Sequence, residues 1–128
     1  MFDAKFITVT LTKNNEFEIC MDDKVFCVIK HSLWLYGDLY KAISRRVKIV
    51  LSLHDDKKLE IQRSGHCYDF KFLDEDNRVV KISEYEFVEF CKGIIESSRF
   101  LDEDGIAIPY ELTDALDTVL IWYEEERS

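Results

Sequence analysis

The amino-acid sequence predicts an α+β domain: an antiparallel β-meander of about seven strands packed by two C-terminal helices, with a short helix between two strand groups. Three observations carry this. Apolar and polar residues alternate in short runs over residues 1 to 83, broken by Asn, Asp and Gly. The capping-box sequence Ser83-Glu84-Tyr85-Glu86 then opens a stretch of helical period, and a second such stretch comes after Pro109. Strands with one face in a core and one in water give the first pattern, amphipathic helices the second.

The first strand group is AKFITVTLT, EFEICM and KVFCVIKH, separated at Lys13-Asn14-Asn15 and at Asp22-Asp23. Asn and Asp tolerate the left-handed backbone that tight hairpins need, so each break reads as a turn between paired strands. The second group is VKIVLSLH, KKLEIQR, HCYDFKFL and RVVKIS, with turns at Asp55-Asp56, Ser64-Gly65 and Asp74-Glu75-Asp76. Val47, Ile49, Leu51 and Leu53 line one face of their strand, while Lys48, Val50, Ser52 and His54 share the other. Between the groups, Tyr36, Leu39, Tyr40, Ile43 and Val47 fit a helical stripe within residues 32 to 46. Gly37-Asp38 equally suits a turn, in which case Leu33 to Tyr36 extend the third strand.

In the capping box, the Ser83 hydroxyl accepts from the Glu86 backbone N–H and the Glu86 carboxylate accepts from the Ser83 N–H, which fixes a helix start. Phe87, Phe90, Cys91, Ile94 and Ile95 form the buried face of that helix. Pro109 suits the first position of the last helix, where its missing N–H has no intrahelical partner to lose. Leu112, Ala115, Leu116, Val119, Leu120 and Tyr123 then recur at helical spacing.

A chain of 128 residues, 47% hydrophobic, with one Pro and four Gly, fits a single self-folding domain spanning 1 to 128. No run nears the ~18 apolar residues of a membrane span. The start MFDAKFITVT lacks a basic n-region and an apolar h-region. A soluble, cytoplasmic protein without a membrane partner is the expectation. Cys20, Cys27, Cys67 and Cys91 are spaced irregularly among apolar neighbours, which suits free thiols better than a disulfide framework.

The pentapeptide FLDED occurs at 72–76 and again at 100–104. A calcium loop needs Gly right after its third ligand and then further ligands, and neither copy continues that way. The sequences after the two copies also differ, VVKISE against AIPYEL, so duplication is not supported. Each triple reads as a solvated turn after an apolar run.

Charge is distributed unevenly. Residues 1 to 83 hold 14 Lys and Arg against 13 Asp and Glu, a balance of +1. Residues 84 to 128 hold 3 basic and 13 acidic residues, a balance of -10 within the net -9 of the chain. Glu84, Glu89 and Glu96 fall off the apolar stripe of the first of the two helices. Glu111, Asp114, Asp117, Glu124 and Glu125 fall off that of the last, and Asp102, Glu103 and Asp104 lie between. Helices packed side by side on the sheet would merge these into one acidic surface, which speeds encounter with a basic partner and disfavours nucleic acid. Tyr110, Trp122 and Tyr123 are candidate aromatic anchors within it.

Catalytic patterns are sparse. Adjacent residues on a strand point to opposite faces, so His66 and Cys67 do not make a thiol–imidazole pair. His54 sits at a turn, and the sequence nominates no catalytic partner for His31. No Cys-x-x-Cys, His-Glu-x-x-His, Gly-x-Ser-x-Gly or phosphate loop occurs. Neither a metal nor a cofactor is expected. The expectation is therefore a non-catalytic, acidic, protein-binding inhibitor of the immunity-protein or antitoxin kind, blocking the basic active-site face of a nuclease-type toxin. Partner-binding residues would be Glu89, Glu96, Asp102, Glu103, Asp104, Glu111, Asp114, Asp117, Glu124, Glu125 and Trp122. The alternatives are a secretion chaperone, a nucleic-acid mimic and an enzyme acting on a small substrate.

Overall fold

The computed structural model of the protein describes residues 7–32, 34–45, 47–76, 78–101 and 110–127; the side chains at 45, 119, 120 and 122–127 lie outside that description. Seven antiparallel strands occur in order: β1 (Ile7–Leu11), β2 (Glu16–Met21), β3 (Lys24–Lys30), β4 (Ile49–Ser52), β5 (Lys58–Ser64), β6 (Cys67–Phe72) and β7 (Arg78–Ser83). They form two sheets, ordered β1-β2-β3 and β4-β5-β6-β7. One isolated bridge, Ile29 to Leu53, joins them. The predicted meander is therefore present, but with a joint between β3 and β4 in place of a continuous ladder.

The turn chemistry matches the sequence closely. Asn15, Asp22, Asp23, Asp55, Asp56 and Asp76 all take positive φ, as does Gly65. Asp22 and Asp23 do so consecutively, which matches the twist of the flanking strands in a two-residue hairpin. The strand from 47 is shorter than its periodicity predicts. Val47 is exposed, and His54 to Asp56 form a helical turn whose Asp55 is left-handed. That turn docks on the first sheet: His54 Nδ1 lies 3.0 Å from Glu16 Oε1, and Lys30 Nζ lies 2.7 Å from Asp56 Oδ1. The joint between sheets is thus polar at its rim and apolar at Ile29 and Leu53.

Helix α1 (Leu35–Tyr40) runs straight into a π-helical stretch over Lys41–Arg45, so the helical reading of this segment holds. Leu35, Tyr36, Leu39 and Ala42 are buried. Helix α2 (Glu84–Ser98) starts at the predicted capping box, with both reciprocal bonds formed: Glu86 N–H to Ser83 Oγ at 3.1 Å and Ser83 N–H to Glu86 Oε1 at 2.7 Å. Its face of Phe87, Phe90, Cys91 and Ile94 is fully buried. The Phe87 ring stacks on Tyr68 of β6 at 4.0 Å, and Phe90 meets Phe70 edge-on at 5.3 Å. From the other sheet, Phe26 reaches Phe70 and Phe72 at 5.7 and 5.3 Å. One aromatic core therefore joins both sheets and α2, and such pairs add to the area they bury.

Helix α3 (Tyr110–Arg127) buries Leu112 and Leu116, as its periodicity predicts. It rests mainly on α1, the π-helical stretch and α2. The side-by-side arrangement of two helices on a sheet is thus replaced by a layered one, with α3 outermost. α2, α1 and the π-helical stretch together supply its platform. Pro109 lies outside the described residues.

Candidate functional site

The acidic residues of the last third separate into structural and exposed groups. Glu84, expected to be solvated, is only 8% exposed and pairs with the Arg63 guanidinium. A carboxylate taken out of water needs such a partner, and Arg63 also donates to the Gly65 carbonyl at 3.0 Å, which holds it in place. Glu86 is consumed by the cap. Glu89 is half-buried in a groove where α2 crosses β1, bounded by Thr8, Lys92 and Glu96.

Glu96 on α2 and Glu111, Asp114 and Asp117 on α3 are exposed. Asp117 Oδ1 lies 3.3 Å from Lys92 Nζ, so its charge is partly offset by its own fold. The shallow cleft between α2 and α3 mixes signs, since Lys92 and Arg99 line it with Glu96 and Asp117. The outer face of α3 carries no such compensation within the helix, whose only cation is the terminal Arg127. Asp102, Glu103 and Asp104 lie outside the described residues. So do the side chains of Trp122, Glu124 and Glu125, although their positions belong to α3.

Two apolar side chains share that outer face. Tyr110, Asp114 and Ile121 recur at i, i+4 and i+11, which places them along one side of a helix, with Asp117 at its edge toward α2. Tyr110 is 78% exposed and Ile121 56%. Sequence reasoning does not single out Ile121, yet a signal exists: it falls off the stripe of Leu112, Leu116 and Leu120. Phe100, just ahead of the second acidic triple, is also exposed.

Several of the remaining chemistry-bearing groups are engaged within the fold, while His66 is exposed and Cys20 and Cys67 are half-buried. Both His54 nitrogens are engaged, the second with Asp55 Oδ1 at 3.3 Å. All four cysteines are free thiols. Burial pushes Cys27 up to about 12 and Cys91 well above its ordinary range, so both stay protonated and inert. In the first acidic triple, Asp74 accepts from the Lys58 N–H at 2.9 Å and Glu75 pairs with Arg78 at 3.4 Å, which makes it a turn device. Among the described residues, no group of three or more His, Cys, Asp or Glu side chains is arranged to hold a metal ion, and no helix is long and apolar enough to cross a membrane.

Comparison with protein families, curated proteins and solved structures yields no match to this chain.

Proposed function

We propose that this chain is a non-catalytic protein-binding inhibitor of the immunity-protein or antitoxin kind, with the outer face of α3 docking on the basic active-site face of a nuclease-type toxin in the cytoplasm. The observation that carries this reading is the pairing of exposed Tyr110 and Ile121 with the exposed carboxylate of Asp114 along one helix face, bordered on the α2 side by Asp117. Stable interfaces combine a few apolar or aromatic anchors with a charged surround. The anchors supply affinity, and the acids steer a basic partner into place. Nuclease domains carry Lys and Arg to hold phosphates, which is the complement this face requires.

Affinity capture from the native cell, with identification of the bound partner and repetition at high salt, tests the proposal. A basic client whose association slows steeply with ionic strength is expected. An acidic client, or one whose association ignores salt, overturns it.

A further inference from the structure

A second recognition feature lies away from α3, where the end of β3, the start of α1 and strand β4 enclose a cavity of about 160 Å³. Trp34 forms one wall and is 78% exposed. Asp38 borders the same space one helical turn later, and i, i+4 spacing puts the two side chains on one side of α1. Leu35, Val50 and Leu51 supply apolar surface between them. Drug-sized ligands occupy pockets of about 300–1,000 Å³, so this cavity suits a single long side chain.

We propose that this cavity receives one cationic side chain of a protein partner, arginine or lysine, with its charged head between the Trp34 indole and the Asp38 carboxylate. An aromatic face attracts a cation within about 6 Å of its centre, and a carboxylate adds a charge-assisted hydrogen bond. The Asp38 carboxylate has no ion-pair partner among the described residues. Burial pushes its carboxyl above the ordinary range, against a weaker opposing pull from Lys41. It is a half-buried acid at the cavity rim. Lys30 also borders the cavity, but its ammonium is held 2.7 Å from Asp56 Oδ1 and raised in pKa by that hydrogen bond. Its charge is already paired.

The probes are Nα-acetyl-arginine methylamide and its uncharged isostere Nα-acetyl-citrulline methylamide, titrated onto the full chain while the Trp34 indole N–H resonance is monitored. Saturable shifts with the arginine probe are expected, with the citrulline probe binding at least about tenfold more weakly. Asp38→Asn should reduce arginine affinity by a similar factor, and Trp34→Ala, a change at an exposed residue, should abolish binding to the folded protein, read in that variant from the backbone amide resonances of Leu35, Asp38 and Val50. Equal binding of both probes, no saturable shift, or unaltered affinity in Asp38→Asn overturns the proposal. Asp114→Lys should leave this titration unchanged, so the cavity stands or falls separately from the α3 face.

Discussion

The Ser97 hydroxyl donates to the Val9 carbonyl at 3.2 Å, and one turn earlier Gly93 lets α2 lie so close to β1 that a Cβ there would sit 2.5 Å from Val9 Cγ2. Strand β1 is the outer strand of its sheet. An open edge is a template for pairing with another chain, and α2 covers it with a hydroxyl that satisfies one of its outward carbonyls.

This contact reverses an ordinary rule. Replacing a helical Gly by Ala usually gains about 1 kcal/mol from helix propensity. Here Gly93→Ala should lose about 1 kcal/mol or more, because overpacking against the stiff Val9 exceeds that gain. In a Val9→Ala background the same substitution should become stabilising. Urea midpoints of the four proteins check the sign change, and destabilisation of equal size in both backgrounds would refute the contact.

Arg63 and Glu84 form a pair whose side chains are 13% and 10% exposed. Arg63→Met should cost about 3 kcal/mol, since it strands a buried carboxylate. Adding Glu84→Leu should recover much of that loss. Equilibrium unfolding of both single variants and the double variant measures the coupling.

Asp114 lies on the outer face of α3, whereas Asp117 lies at its α2 edge and is already offset by Lys92. Asp114→Lys should therefore slow association with the captured basic partner more than Asp117→Lys does. Both should fold, because losing an exposed ion pair costs about 1 kcal/mol or less. Stopped-flow association at low and high salt distinguishes them: equal slowing would refute the Lys92 offset, and unchanged kinetics would place the docking surface elsewhere.

Asp38 gives a pH prediction. Burial raises its carboxyl above the ordinary value of 3.8, so the folded protein holds this proton more tightly than the unfolded chain. Stability from this group is present below 3.8 and declines as pH rises through the folded value. Asp38→Asn should thus be at least as stable as the parent at neutral pH, with the advantage vanishing in acid. Thermal melts from acid to neutral pH read this directly. A variant markedly less stable at neutral pH would mean that the carboxylate is a structural partner instead.

Much of the fold was legible because its signals are local. Ser83 to Glu86 satisfy each other's backbone groups within one turn, and Asp22 and Asp23 adopt backbone that few other residues accept. The α3 stripe at Leu112 and Leu116 was equally readable, since burial of a periodic face needs no knowledge of what covers it. Less of the site could be read. Glu84 and Glu96 are alike in sequence, both off the apolar stripe, yet Glu84 is buried against Arg63, which lies 21 positions earlier in the chain.

The sequence alone therefore determined the seven strands, the turns within each strand group, the start of α2 and the concentration of acid in the final third. Tertiary structure decided which acids remain available to a partner: Glu84 and Glu86 are committed internally, Asp117 is offset by Lys92, and Glu111 and Asp114 face solvent. It also brought Trp34 and Asp38 to the rim of one cavity with Val50 of another element. The reason is range: capping and periodicity act over a few residues, whereas ion pairing, desolvation and cavity formation depend on segments that only folding brings together.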